Sequence, residues 1–167
     1  MAQAPAPADE QLAQLAVVIP VLNRREDLEA TLGSLPAVGE LIDTLAKKYP
    51  IDPARIYLIG FSLGGMGSWE VALDQPDRFA AVVPIGGRMG SPADAARLKE
   101  VPIWVFNGAD DPTTTTAEAQ IMADAIRSAG GNPRFTVLPD TAHGDSQDKA
   151  YRYPGMFKWM LEQRRDR

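Results

Sequence analysis

A serine between two glycines is the first residue whose surroundings could support chemistry. In "IYLIGFSLGGMGSW", Ser62 stands in the pattern Gly60-Phe61-Ser62-Leu63-Gly64. An apolar run precedes this pattern and a helix-forming segment follows it, which is typical of a sharp strand-to-helix turn. Such a turn exposes the serine oxygen, strains the serine backbone and requires small residues two positions before and after it. The pattern predicts Ser62 as a nucleophile and the Leu63 N–H as one donor to an oxyanion.

A nucleophilic serine needs a base within hydrogen-bond reach and an acid that orients the base. The single histidine, His143, lies in "LPDTAHGDS", directly after the last predicted strand. Two candidate acids, Asp110 and Asp111, lie in "VFNGADDPTTTT" after another predicted strand. The carboxyl ends of parallel strands share one edge of a sheet, so these groups can meet there.

Five apolar segments predict the strands that position these groups. They are "LAVVIPVL", "RIYLIG", "FAAVVPIG", "VPIWVFNG" and "RFTVL". Each is followed by a helical segment or a pair of them, which is the pattern of a mostly parallel α/β sheet. We expect a three-layer fold in which an open, doubly wound sheet of about five strands has helices on both faces and the site at its carboxyl edge.

Apolar residues at helical spacing predict which helix faces are buried. Two helices separated by Pro36 and Gly39 are expected before the second strand, one follows the fourth strand, and one ends the chain. Their predicted apolar residues are Leu28, Leu32 and Leu35; Leu41, Leu45 and Tyr49; Ile121 and Ala125; and Phe157, Met160 and Leu161.

Composition limits the classes of function. The formal charge of −5 argues against nucleic-acid binding, which needs a concentrated basic surface. The absence of cysteine and the single histidine argue against thiolate chemistry and against cysteine- or histidine-rich metal sites. We therefore expect no metal site of these kinds, and the chemistry expected of Ser62 needs neither a metal nor an organic cofactor.

The chain is expected to form one domain over residues 12–167, after a disordered tail at residues 1–11. The tail is rich in alanine and proline and has no apolar core of a signal peptide, and no apolar run is long enough for a membrane helix. We expect a soluble protein without a membrane partner, while its location, in the cytoplasm or secreted after removal of a signal, stays open.

From Tyr49 to its C-terminus the chain resembles α/β-hydrolases of the carboxylesterase, dienelactone hydrolase and polyhydroxybutyrate depolymerase or feruloyl esterase type. The matching stretches are "YPIDPARIYLIGFSLGGMGSWEVALDQPDRFAAVVPIGG", "VPIWVFNGADDPTTTT" and "AGGNPRFTVLPDTAHGD". The resemblance implies a minimal α/β-hydrolase fold and a serine hydrolase that cleaves small-molecule carboxylic esters through an acyl-enzyme on Ser62. In that family a His-Gly pair at a strand end is followed by the catalytic aspartate and a proline. Asn107-Gly108 and Asp111-Pro112 match this pattern, so the resemblance favours Asp111 over Asp110, although threonines replace the usual apolar residues after the proline.

The first 48 residues depart from that family, because no His-Gly loop is present to supply a second oxyanion donor. That donor is expected around Leu22 or Asn23. The opening segment instead resembles the first strand and helix of inverting nucleotide-sugar glycosyltransferases, in which an aspartate pair binds a metal and a diphosphate. Asp110 and Asp111 would then be that pair. A third alternative is a hydrolase-like binding module without catalytic activity.

Three apolar side chains near the predicted site are candidates to line an acyl pocket, with ordinary core packing as the competing interpretation. They are Met66, Trp69 and Met89. A different surface is expected at the first strand, which becomes a sheet edge if no strand precedes it. An apolar edge invites pairing with another chain, so residues 16–22 are predicted to support a homodimer or some aggregation.

Overall fold

The computed structural model describes residues 13–19, 35–88 and 91–165. Its strands are β1 (Ala13–Ile19), β2 (Ile51–Phe61), β3 (Ala81–Ile85), β4 (Trp104–Gly108) and β5 (Arg134–Leu138). Its α-helices are α1 (Leu35–Lys48), α2 (Leu63–Asp74), α3 (Thr116–Ser128), α4 (Ser146–Tyr151) and α5 (Met156–Glu162). Two 3₁₀ helices span Pro92–Leu98 and His143–Asp145. None of the helices in these ranges is long and apolar enough to cross a membrane.

The five strands form one parallel sheet in the sequential order β1-β2-β3-β4-β5. The predicted parallel α/β sheet with helices on both faces is confirmed, but the predicted doubly wound order is wrong. The sheet grows in one direction, and successive right-handed crossovers in one direction place their helices on the same face. Both arrangements give the same alternation of strand and helix in sequence, so the pattern could not distinguish them.

The helices between the strands cover one face of the sheet. Side chains from α1, α2, α3 and the first 3₁₀ helix pack there with residues from β2, β3 and β4 in one hydrophobic cluster. The largest side chain in this cluster is Trp69, which is completely buried. Burial of this apolar surface, worth about 25 cal/mol per Å², fixes α2 against the strand that precedes it.

An aromatic cluster under α4 and α5 covers the other face. Trp104 stacks on Phe106 with ring centroids 5.0 Å apart, and Trp159 meets Trp104 edge-on at 5.2 Å. The Arg134 guanidinium lies 4.9 Å from the Trp104 ring centroid, within cation–π distance. Because these two helices follow β5, the segment after His143 supplies the third layer of the fold.

The predicted helix faces are off by about one residue in α1, α3 and α5, although Met160 is buried as predicted and Leu45 and Ala125 are half-buried. Leu41, Tyr49, Ile121, Phe157 and Leu161 are exposed. The buried positions are Ile42 in α1, Ala119, Met122, Ala123 and Ile126 in α3, and Met156, Trp159 and Met160 in α5. Each helix carries two apolar stripes with helical spacing, so periodicity alone could not decide which stripe faces the sheet.

The predicted break at Pro36 and Gly39 is also wrong, because one helix runs through both residues. Pro36 lies in the first turn of α1, where a missing N–H removes no helical hydrogen bond. Gly39 is buried, and a Cβ at that position would lie 2.8 Å from the Gln75 side-chain nitrogen. The atoms nearest to this Cβ belong to the flexible end of the Gln75 side chain, which can move, so the contact with the end of α2 does not strictly require glycine. Leu28 and Leu32 lie outside the described residues.

The start of β2 contains an irregularity that accommodates Pro53 within a strand. The pairing register between β1 and β2 shifts there, and Asp52 Oδ1 accepts a hydrogen bond from the Ala54 N–H at 2.9 Å. The other carboxylate oxygen accepts from Arg164 at 2.8 Å. The Ala54 amide and the Arg164 guanidinium lower the pKa of the Asp52 carboxyl below its ordinary value of 3.8, against the opposing effect of burial.

Asp52→Asn is expected to lower the free energy of unfolding at pH 7 by about 1 kcal/mol, a modest figure because Arg164 is half exposed. A lowered carboxyl pKa in the folded state gives a stabilisation that is complete above pH 3.8 and lost as the pH falls through the folded value. Urea unfolding should therefore show a smaller difference in the free energy of unfolding between Asp52→Asn and wild type at pH 3 than at pH 7. Asp148→Asn, which removes a surface ion pair, serves as the control with little change at either pH. If the loss of unfolding free energy in Asp52→Asn were larger at pH 3 than at pH 7, the lowered pKa of the Asp52 carboxyl would be contradicted.

Strand β1 is the terminal strand of the described sheet, as the sequence predicts. The homodimer through residues 16–22 stays a prediction, and residues 20–22 lie outside the described part of the chain. The single domain over residues 12–167 likewise stays a prediction, as does the tail at residues 1–11, which also lies outside the description.

Candidate active site

Ser62 occupies a strained turn between β2 and α2. Its backbone angles are φ 56° and ψ −119°, and a non-glycine residue in this region costs about 1–3 kcal/mol. The Ser62 N–H donates to the Ile85 carbonyl at 2.9 Å, which fixes the turn to the end of β3. The strained turn that the sequence predicts is therefore present.

Glycine at position 60 is required by the close approach of the two sides of this turn. A Cβ on Gly60 would lie 2.1 Å from the Gly64 carbonyl oxygen and 2.6 Å from the Ser68 hydroxyl. A second close approach joins α2 to the loop after β3, where a Cβ on Gly87 would lie 2.5 Å from the Gly65 backbone. These contacts allow the start of α2 to lie against the carboxyl edge of the sheet.

Gly60→Ala is expected to destabilise the fold by about 3 kcal/mol or more, because the clash is with backbone that cannot move without breaking the turn. Gly144→Ala is the matched control, since a Cβ at that position meets no atom within 4 Å. Thermal unfolding of both variants measures the difference. Equal stability of the two variants would contradict the close approach of the Gly60 and Gly64 backbones in this turn.

His143 lies within hydrogen-bond distance of the serine. The two atoms Ser62 Oγ and His143 Nε2 are 2.7 Å apart, although 81 positions separate the residues in sequence. The Phe61 ring packs against the imidazole with centroids 5.0 Å apart and ring planes inclined at 36°. The histidine side chain is 15% exposed, so it is largely buried but still accessible to solvent.

Asp111, and not Asp110, contacts the histidine. Asp111 Oδ2 lies 2.7 Å from His143 Nδ1, and Oδ1 accepts hydrogen bonds from the N–H groups of Thr113 at 2.8 Å and Thr114 at 2.9 Å. The carboxylate is fully buried, and these three donors satisfy it. Asp110 is exposed, and its N–H donates to the Thr141 carbonyl at 3.0 Å. The choice between the two aspartates that the resemblance favours thus matches the geometry.

The three side chains form a continuous row of hydrogen-bonding groups. A carboxylate only accepts hydrogen bonds, so His143 Nδ1 carries the proton that faces Asp111. Nε2 is then free to accept the Ser62 hydroxyl proton. This arrangement can raise the nucleophilicity of the serine oxygen and can stabilise the imidazolium that forms when the proton is transferred.

The residues predicted to bind an oxyanion are only partly within the described structure. Leu63 is the first residue of α2, and the first N–H groups of a helix have no acceptor within the helix. Its position directly after Ser62 suits it to an oxyanion donor. Asn23 and Leu22, expected to supply the second donor, lie outside the described residues.

The three candidates for an acyl pocket have different outcomes. Trp69 is 0% exposed and donates its indole N–H to the Gly87 carbonyl, so its predicted contact with substrate is wrong. Its size fills the core, and its polar atom is used to hold the loop after β3. Met66 is half-buried in the first turns of α2 and stays a candidate. Met89 lies outside the described residues.

The geometry disfavours the aspartate pair expected of a glycosyltransferase. Both oxygens of Asp111 are used by His143 and the threonine amides, and the Asp110 side chain is exposed beside them. No group of three or more histidine, cysteine or acidic residues suited to a metal occurs within residues 13–19, 35–88 and 91–165. That interpretation also leaves the contact between Ser62 and His143 unexplained.

Sequence reasoning missed several residues that shape the site. Gly86 has φ 53°, and a Cβ there would lie within 3.5 Å of Phe61, Asp111 and His143. The Gly86-Gly87 pair at the end of an apolar strand was a readable signal of a close approach. The threonine amides and the Phe61 ring gave no such signal, because every residue type except proline supplies a backbone N–H and aromatic residues are common in strands.

A cavity of about 810 Å³ lies away from this row of side chains. It is found beside the starts of β3 and β4, next to Phe79, Val101 and Arg164. In parallel α/β sheets, ligands bind at the carboxyl ends of the strands. The size of a cavity is therefore a poorer guide to the site here than the arrangement of the three side chains.

Solved structures share this fold. A structure described as a thermostable esterase superposes with a TM-score of 0.75 and 33% identity over 80% of this chain, which corresponds to 37% of that chain. Serine, aspartate and histidine follow strands at one edge of a parallel sheet in the order found in α/β-hydrolases. The fold and the order of these groups define the α/β-hydrolase class.

The match to a family model is more specific. A model of the phospholipase/carboxylesterase family matches residues 20–151, so the chain belongs to this family. The resemblance to α/β-hydrolase esterases is thereby confirmed, and the match extends through residues 20–48, where a departure from the family was expected.

Two curated relatives, both with esterase in their names, are similar in sequence to parts of this chain. The bifunctional acetylxylan esterase/xylanase XynS20E of Neocallimastix patriciarum is 36% identical over 44% of this chain and 11% of its own length. Esterase YpfH of Escherichia coli (strain K12) is 26% identical over 72% of this chain and 50% of its own length. The chain thus spans half or less of these two relatives.

Proposed function

We propose that the protein hydrolyses carboxylic esters through an acyl-enzyme on Ser62. The row Ser62–His143–Asp111, with 2.7 Å between Oγ and Nε2 and 2.7 Å between Nδ1 and Oδ2, carries this proposal. Such a row has the geometry of a nucleophile, a general base and the acid that orients the base. Membership of the carboxylesterase family and the esterase names of its relatives support the same reaction class.

In the first half of the reaction the Ser62 oxygen attacks the acyl carbon while His143 Nε2 takes its proton. The carbonyl π electrons move onto the oxygen, and the Leu63 N–H donates to the resulting oxyanion. When this intermediate collapses, the bond to the alcohol oxygen breaks and His143 gives its proton to the leaving alcohol. Water then repeats these steps on the acyl-enzyme, releasing the acid and restoring the Ser62 hydroxyl. Asp111 stays ionised and stabilises the imidazolium in both halves.

The second oxyanion donor is proposed to come from the segment around Asn23. Removing one such donor typically costs about 10²- to 10³-fold in turnover, so this segment would decide whether the enzyme is fast or slow. Met66 is proposed to contact the acyl group, because it is half-buried and lies one helical turn after Ser62, where its N–H donates to the Ser62 carbonyl. None of the proposed steps requires a metal or an organic cofactor.

The proposal is tested with p-nitrophenyl esters whose acyl chains run from two to about ten carbons. A two-step mechanism predicts a burst of p-nitrophenol, close to one equivalent per chain, whenever deacylation is slower than acylation. The acyl length that gives the largest kcat/KM defines the substrate class. No turnover and no burst from folded protein would reject the esterase proposal, and calorimetric binding of the same esters would then indicate a hydrolase-like binding module.

A further inference from the structure

Lys149 lies beside the loop that carries His143 and donates to three oxygens of that loop. Its Nζ is 2.6 Å from the Asp140 carbonyl, 3.2 Å from the Pro139 carbonyl and 2.9 Å from Thr141 Oγ1. An ammonium group has three N–H donors, so this one turn can use all of them. We infer that Lys149 is a positioning residue that holds His143 and Asp111 in their reactive arrangement, an inference that rests on the proposed function.

The turn that Lys149 holds does not adopt an ordinary conformation. Asp140 has φ 48°, in the left-handed region that non-glycine residues enter at a cost. The Thr141 side chain donates to the Pro139 carbonyl at 2.7 Å while its oxygen accepts from Lys149. Two consecutive carbonyls and a hydroxyl therefore converge on one cation, which offsets the cost of the turn.

The same turn is joined to the loop of Asp111. The Thr141 carbonyl, directly after the oxygens that Lys149 binds, accepts the Asp110 N–H at 3.0 Å. Ala109 donates its N–H to the Leu138 carbonyl at 2.9 Å, and a Cβ on Gly108 would lie 2.3 Å from the Thr141 oxygen. A shift of the turn at residues 139–141 would therefore move both His143 and Asp111.

On its other side, His143 is fixed by the start of α4. Ser146 Oγ donates to the Ala142 carbonyl at 3.1 Å, and the Asp145 N–H reaches the same oxygen at 3.2 Å. Lys149 is on this helix, one turn after Ser146, so its side chain joins the two ends of the segment from residue 139 to residue 149. All of its acceptors here are uncharged oxygens, so the contact differs from a surface ion pair.

The first test compares K149M with wild type in ester hydrolysis. The methionine keeps an unbranched apolar stem but donates no hydrogen bond, so kcat should fall at least about tenfold, since small displacements of reacting groups are costly. KM should change less than about twofold, because Lys149 is not proposed to touch substrate. K149R should keep most of the rate because a guanidinium can donate to the same oxygens. K149Q, with a neutral side chain, provides a second loss of the cation if K149M folds poorly.

The matched control is K158M. Lys158 is a highly exposed lysine on α5 whose Nζ lies 3.9 Å from Glu162 in a surface ion pair. Such pairs contribute little to stability, and this variant should keep wild-type kcat and a melting temperature within a few degrees. A rate loss in both K149M and K149Q that merely followed a large drop in melting temperature would contradict a positioning role.

The second test reads the hydrogen bond between His143 and Asp111 without any substrate. The chain has one histidine, so a protein labelled with ¹⁵N only in histidine gives one unambiguous imidazole spin system. The proton shared by Nδ1 and a buried carboxylate should give a far-downfield resonance in wild type, K158M and K149R. In K149M this resonance should broaden or disappear through exchange with water.

The outcomes separate this inference from the proposed function. Active wild type with unchanged kcat and an unchanged resonance in K149M would overturn the role of Lys149 and leave the esterase intact. Inactive wild type in which K149M still loses the resonance would reject the proposed function while retaining the structural role of Lys149. If K149R lost as much kcat as K149M, the inference would also be overturned, because the arginine guanidinium would have failed to replace the Lys149 ammonium group.

Discussion

Ser62→Ala is expected to lower kcat for ester hydrolysis by at least about 10⁴-fold. The substitution removes the only atom that forms the covalent intermediate, while the backbone of the turn and the contact between His143 and Asp111 remain. The residual rate then reflects binding and the oxyanion donors alone. Steady-state kinetics on the ester preferred by wild type measure the loss, and KM should change little because the hydroxyl binds substrate only weakly.

Ser128→Ala is the control for this substitution. Ser128 is an exposed serine at the end of α3 that donates to the Asp124 carbonyl at 2.9 Å. Its variant should keep wild-type kcat. If Ser62→Ala retained more than about a tenth of the wild-type rate, another group would have to be the nucleophile and the proposed mechanism would fail.

Asp111→Asn is expected to lower kcat by about 10³- to 10⁴-fold. An asparagine amide that presents its N–H₂ group to His143 would favour the histidine tautomer with its proton on Nε2, which cannot accept the serine proton. The loss should be in kcat and should persist across the neutral pH range, because the geometry is preserved while the proton is on the wrong nitrogen.

Asp110→Asn is the matched control, since it makes the same chemical change one residue away. The Asp110 side chain is exposed, and its structural contact is made by the backbone N–H to Thr141. We expect kcat within about twofold of wild type, as is usual for a surface substitution. A larger loss in Asp110→Asn than in Asp111→Asn would reverse the assignment of the acid.

The row of side chains could be predicted from the sequence because each member lies in the turn or loop that follows a strand. Ser62 has a glycine pattern set by backbone crowding, and His143 is the single histidine in the chain. Asp111 could be separated from Asp110 only by resemblance, because adjacent aspartates in a loop carry no periodic signal. In the structure the separation comes from the Thr113 and Thr114 amides, which turn one carboxylate inward.

The packing around the site was less predictable, for a physical reason. In α1 and α3 the exposed Leu41 and Ile121 are as apolar as the buried Ile42 and Met122 beside them. A shift of one residue rotates a helix by about 100°, and only the tertiary contacts select the buried stripe. Trp69 was a candidate for substrate contact, with core packing as the alternative, because a large apolar residue near the site suits either a pocket or the core.

The central claim is that His143 activates the Ser62 oxygen for covalent chemistry. Intact-mass spectrometry after treatment with a fluorophosphonate probe tests it most directly, on wild type, Ser62→Ala and His143→Ala. The account predicts one adduct per chain in wild type, none in Ser62→Ala and greatly slowed labelling in His143→Ala. Folded wild type that forms no adduct, or an adduct that persists in Ser62→Ala, would contradict it.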